Sequence, residues 1–178
     1  MLIYGHRGAS ACCPENSEAS LRAAITRAHG CEFDLRVTAD NQIIVLHDAT
    51  LLRTGTLSAG QDKDSNENTS RAPVCSWDLK TDVSQLTLAR LKNIDIGTWK
   101  GHEWRGERIL TLQEALRIVP VEKGILAELK GNGIAVSDIL RGMISMNNLA
   151  LRPSQTPRSG PGDERLSPSA KISWALKC

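Results

Sequence analysis

The sequence predicts an α/β fold built on parallel strands. Three observations lead there: short apolar runs alternate with stretches of helical period, turn residues punctuate the boundaries, and the composition is that of one ordinary globular domain, with 178 residues, 40% hydrophobic and 24% charged.

The first apolar run, Leu2 to Tyr4, stops at Gly5 and predicts a short buried strand, followed by a loop over residues 6 to 16. Pro14 and Asn16-Ser17 then supply helix-start chemistry. Leu21, Ala24, Ile25 and Ala28 recur at i, i+3, i+4 and i+7 until Gly30 ends the amphipathic helix. Cys31 to Val37 alternates polar and apolar residues, Asp40-Asn41 marks a turn, and Ile43 to Leu46 is apolar throughout, so a strand, tight turn and strand are expected.

From about 55 to 80 the chain is expected to carry a polar insertion, because Ser58 to Asn68 holds almost nothing that can be buried. Leu86, Leu88, Leu91 and Ile94 predict a short helix. Thr111 to Val119 reads as a capped helix with Leu112, Ala115, Leu116 and Val119 on one face, Ile125 to Lys130 as a strand, and Ala135 to Met146 as a further helix. After Leu151 the hydrophobic period is lost, so one domain is expected over 1–151, with an irregular tail over 152–178.

Several function classes are set aside by composition. A formal net charge of +2 with no basic run or stripe argues against nucleic acid as a partner. No apolar run reaches the ~20 residues of a membrane span. The opening Met1-Leu2-Ile3-Tyr4 leaves no space for a secretory leader, and the five cysteines form an odd set without a C-x-x-C pair, so a cytoplasmic, reducing location is the expectation.

The chemistry begins at Glu32 and Asp34, two apart on a predicted strand, so both carboxylates point to one face. A lone E-x-D is by default a solvated sheet face paired with surface lysines. Buried on an inward face, two such anions need a cation, and Glu128 offers a third carboxylate with Lys130 two residues on. An all-oxygen set suits a hard divalent ion, Mg2+ or Ca2+. His6 and His47 each follow an apolar strand, where α/β folds place active sites, and two imidazoles suit acid-base work on a phosphodiester. Arg7 and Lys130 are the candidate phosphate contacts. His29 and His102 keep an ordinary structural reading.

Gly5-His6-Arg7-Gly8-Ala9-Ser10, Pro14-Glu15-Asn16-Ser17, Glu32-Phe33-Asp34 and His47-Asp48 resemble, in order and spacing, the motifs of the glycerophosphodiester phosphodiesterases. The likeness continues through Thr50 to Thr54, Leu91 to Gly106, Thr111 to Glu114 and Glu128-Leu129-Lys130. It implies a TIM-type (β/α)8 barrel that hydrolyses small glycerophosphodiesters to glycerol 3-phosphate and an alcohol. In such a site Glu32, Asp34 and Glu128 would hold a divalent metal, His6 and His47 would move protons, and Arg7 and Lys130 would contact phosphate. Which histidine is acid and which base stays open.

A complete barrel of this type takes about 250 residues. Only the N-terminal part is therefore expected here, with open barrel edges that leave room for self-association. Two further readings stand beside the enzyme: a truncated, inactive homologue that at most binds phosphate or a partner, and a related barrel phospholipase acting on intact lipid. No amphipathic membrane helix or aromatic belt supports the last.

Overall fold

The computed structural model describes residues 1–57, 75–131 and 172–175. Its central strand, β2 (Gly30–Val37), is buried along most of its length. Parallel to it run β1 (Tyr4–Gly5) on one edge and β4 (Gly124–Leu129) on the other. β3 (Ile43–Val45) returns antiparallel along the far part of the edge that β1 occupies, pairing Leu35 with Val45 and Val37 with Ile43. The turn between β2 and β3 uses Asn41 at φ 56°, a left-handed conformation that asparagine tolerates. Asp40 joins it by accepting the Thr38 hydroxyl.

Helix α1 (Glu18–Arg27) starts where the sequence expects it, since Ser17 and Ser20 cap one another: each backbone N–H donates to the other's hydroxyl oxygen. Its buried residues Leu21 and Ala24 pack on the sheet with Cys31, Phe33 and Leu35. Helix α4 (Leu112–Ile118) carries a second reciprocal cap, between Thr111 and Glu114, and lays Leu112 and Ala115 on the same core. Because residues alternate across a strand, β2 sends its apolar set to these helices and its carboxylates to the opposite face.

A second core lies beyond β3, where Ile44, Leu46 and Leu51 meet Val83, Leu86, Leu91, Ile94, Ile96 and Ile109. The short helix expected near Leu86 to Ile94 is a 3-10 turn at Val83–Gln85 followed by α3 (Leu88–Leu91).

Three expectations change. The Leu2 to Tyr4 strand is not buried: Leu2 and Ile3 are 69% and 54% exposed, since among the described residues β1 is an edge strand paired only with β2. The insertion over 55–80 is not all polar loop. Thr56 exchanges backbone hydrogen bonds with Asp95, and Ser76–Lys80 forms α2, whose buried Asp78 caps the Cys75 N–H and pairs with Arg90. Within the tail over 152–178, Ile172–Ala175 forms β5, parallel to β4, so those four residues continue the sheet in the order β1-β2-β4-β5. The helix expected over 135 to 146 lies outside the described residues. Finally, among the described residues, no helix is long and apolar enough to cross a membrane.

At the base of the sheet Gly30 and Gly124 are register partners, and the Tyr4 ring lies against both. A Cβ on Gly30 would run into the Gly124 carbonyl, and one on Gly124 into the Tyr4 hydroxyl, so this close approach requires both glycines.

Candidate active site

Parallel pairing of β2 with β4 sets Asp34 opposite Glu128, and the two-residue period of β2 adds Glu32 on the same face. One oxygen from each of Glu32, Asp34 and Glu128 lies within 4.8 Å of the others. Glu32 and Asp34 are 6% and 1% exposed. Burial pushes the Glu32 carboxyl above the usual carboxylate range, and the Asp34 and Glu128 charges push it the same way, against the Arg7 N–H that it accepts.

The remaining partners fill in around this cluster. Asn16 donates from Nδ2 to Asp34 Oδ2 at 2.9 Å and accepts the Asp34 backbone N–H at 3.3 Å, with Asn16 itself at φ 55°. Lys130 Nζ lies 2.8 Å from Glu128 Oε1 and 3.3 Å from Asp34 Oδ1. Burial works against its ammonium, but these two carboxylates hold its pKa above the ordinary lysine value. Arg7, at φ 53°, donates its backbone N–H to Glu32 Oε2 at 2.7 Å and sets Nε 3.5 Å from Asp34 Oδ2. Two buried atoms in this cluster, Glu32 Oε1 and Arg7 Nε, have no hydrogen-bond partner. Buried polar atoms are rarely left so, although Arg7 Nε has the Asp34 carboxylate at 3.5 Å.

His6, just past β1, is largely exposed, with Nε2 4.0 Å from Glu32 Oε2. His47 follows the Leu46 N–H that donates to the Asp34 carbonyl oxygen at 3.0 Å, so the end of β3 is tied beside Asp34. Its Nδ1 is 2.6 Å from Asp48 Oδ1, and its carbonyl oxygen accepts both Nε and Nη2 of Arg36. Asp48 titrates at about 2: burial opposes its charge, but hydrogen bonds from Arg53 and His47 outweigh it. An ionised carboxylate only accepts, so Nδ1 is the donor in this bond.

Of the seven predicted site residues, Glu32 and Asp34 lie within β2 and Glu128 within β4, whereas His6, Arg7, His47 and Lys130 lie just past β1, β3 and β4. Four others were not given a role by the sequence. Glu15 accepts from Arg7 Nη1 at 3.0 Å and from Arg53 Nη1 and Nη2 at 2.8 and 2.7 Å, while Arg53 Nε reaches Asp48 Oδ2 at 2.8 Å. Trp99 lies 5.6 Å from the Arg53 guanidinium carbon. Asn16 is the fourth. Their signal was membership of the Pro14 to Ser17, Thr50 to Thr54 and Leu91 to Gly106 segments, whose mutual contacts no spacing rule connects.

Residues 6–150 match the profile of the glycerophosphoryl diester phosphodiesterase family. The chain belongs to that family. Over 133 residues it is 36% identical to the Bacillus subtilis (strain 168) protein YhdW, covering 74% of this chain and 46% of that one. With the glycerophosphodiester phosphodiesterase of Caldanaerobacter subterraneus subsp. tengcongensis it shares 33% identity over 119 residues, 66% and 40% of the two chains. Among solved structures, an Oleispira antarctica phosphodiesterase in complex with the product sn-glycerol-3-phosphate superposes with a TM-score of 0.62 at 28% identity, over 83% of this chain and 52% of that one. The Agrobacterium tumefaciens str. C58 glycerophosphodiester phosphodiesterase gives 0.59 at 25% identity, over 80% and 53%. The chain spans about half the length of these family members. They are TIM barrels, so the open, mostly parallel sheet described here is the corresponding part of a TIM-type barrel.

Proposed function

We propose that this chain carries the metal and phosphate site of a glycerophosphodiester phosphodiesterase, releasing glycerol 3-phosphate and an alcohol. The observation that carries the reading is the convergence of the Glu32, Asp34 and Glu128 carboxylates, with Glu32 Oε1 buried and without a hydrogen-bond partner. Family membership and the glycerol 3-phosphate complex of the Oleispira protein support the same substrate class.

The donor set fits a hard divalent ion: oxygens of Glu32, Asp34 and Glu128 would hold Mg2+ or Ca2+. Such an ion would neutralise charge on the phosphate oxygens. The chain's own groups do the rest. Arg7, whose Nε faces Asp34, and Lys130 would bind phosphate oxygens as directed donors. Asn16 holds Asp34 in place from both ends of its amide, which fixes the cluster before substrate arrives. His47, protonated at Nδ1 by its bond to Asp48, and the exposed His6 supply the two proton movements, one from the attacking hydroxyl and one to the leaving oxygen.

The test is release of glycerol 3-phosphate from glycerophosphocholine by the purified chain with Mg2+ or Ca2+. Turnover removed by EDTA, and reduced about 10²- to 10⁴-fold by His6→Ala or His47→Ala, is the expected result. A folded chain that binds the ion and phosphate without turnover sinks the reading and leaves a binding homologue.

A further inference from the structure

Arg53 lies outside the cluster of Glu32, Asp34 and Glu128, yet its guanidinium touches both halves of the candidate site. Nε donates to Asp48, which holds His47; Nη1 and Nη2 donate in parallel to the two oxygens of Glu15, which in turn holds Arg7. His47 sits past β3 and Arg7 past β1, two strands that never pair with one another and share only an edge of β2. The fork therefore joins two loops that the sheet itself does not join. Trp99 stacks near the guanidinium carbon, and Lys100, 5.7 Å from the same ring, donates to the carbonyl oxygen of Ser10, whose hydroxyl returns to the His6 carbonyl.

An ordinary surface ion pair contributes little, and Arg53 is 44% exposed on its side chain. Its geometry is of a different kind. A planar fork with three N–H groups engaged at 2.7–2.8 Å fixes direction as well as charge, which a lysine ammonium on a flexible stem does not do.

We propose that Arg53 is a positioning residue: through Asp48 it locks His47 in the Nδ1–H form, and through Glu15 it sets Arg7 against the carboxylate cluster. The consequence for turnover rests on the phosphodiesterase reading above, whereas the consequence for the imidazole does not. An imidazole is set in one tautomer by what its other nitrogen bonds. Without the Arg53 anchor, the Asp48 carboxylate is free to turn away and His47 relaxes toward the Nε2–H form common in water.

The experiment is 1H–15N correlation spectroscopy of the histidine rings of the full chain without metal, at pH about 9, well above the ordinary imidazole value of ~6.5. His47→Gln assigns the signal. The wild-type chain shows His47 as Nδ1–H; Arg53→Ala and Arg53→Lys both shift it mainly to Nε2–H. Arg53→Gln, which keeps most of the volume, gives the same shift should the alanine variant fail to fold. In turnover, Arg53→Ala lowers kcat about 10- to 100-fold through His47 and raises KM through the loosened Arg7, and added guanidinium ion restores part of both. A folded Arg53→Ala or Arg53→Gln chain that keeps the Nδ1–H pattern overturns the proposal, as does full restoration of the pattern by lysine. If the wild-type chain shows no turnover, the phosphodiesterase reading fails and the tautomer measurement still decides the role of Arg53.

Discussion

Glu32 has no cation among the described atoms that neutralises it fully, and its environment shows the strain of that arrangement. Its carboxyl titrates above the usual range because burial and two neighbouring carboxylates disfavour its charge. Between its ordinary value of 4.5 and that raised value the unfolded chain ionises first, so the metal-free fold loses stability as pH rises. Glu32→Gln is therefore expected to raise the thermal midpoint of the metal-free chain at pH 7, and to cut the further rise that Mg2+ or Ca2+ produces. About 2–4 °C accompanies each ~1 kcal/mol in a domain of this size, so calorimetry with and without the ion reads both effects. Asp48 has the opposite sign. Held near 2 by Arg53 and His47, it stabilises the fold above its ordinary 3.8, and that contribution disappears as pH falls through about 2. Urea midpoints measured from pH 5 to 2 should fall more steeply for the wild-type chain than for Asp48→Asn; parallel curves would refute this.

Among the elements, those with a clear period and a clear cap were legible in advance. Ser17 and Thr111 announced α1 and α4, and the E-x-D spacing put two carboxylates on one face of β2 without any knowledge of its partner. Ser17→Ala should cost about 1 kcal/mol, read as a lower urea midpoint, because it removes one side of a buried reciprocal cap. What the sequence left unread depends on neighbours distant in the chain. Arg53 and Glu15 are 38 residues apart and meet only because β1 and β3 share an edge of β2. β5 has only the faint signal of Ile172-Ser173-Trp174 in a stretch without hydrophobic period, since a four-residue strand is specified by the edge that receives it more than by its own pattern. The Gly30 and Gly124 pair has no local signature. Gly30→Ala should destabilise by about 1–3 kcal/mol, because the added methyl forces β2 and β4 apart at their base; an unchanged urea midpoint would contradict the close approach.

For the whole molecule, the described strands form an open sheet where the family's barrels are closed. Among the described residues β1 pairs on one side only, next to exposed Leu2 and Ile3. Such edges pair with other chains unless charge or cover prevents it. Sedimentation velocity should show concentration-dependent association that Ile3→Lys reduces, and a monomer at every concentration would count against this. β1 itself is only two residues long and, among the described strands, pairs with β2 alone, yet it delivers His6 and Arg7. Segments so thinly attached open without global unfolding. The proposed phosphate contact of Arg7 can therefore come apart while the core of Phe33, Leu35 and Ile125 stays intact. The amides of Arg7 and Gly8, which bond to Glu32, would then exchange with deuterium well before those of β2 and β4. A bound ion on Glu32 would slow that exchange, so that ligand affinity in this chain includes the free energy of closing its first eight residues onto the sheet.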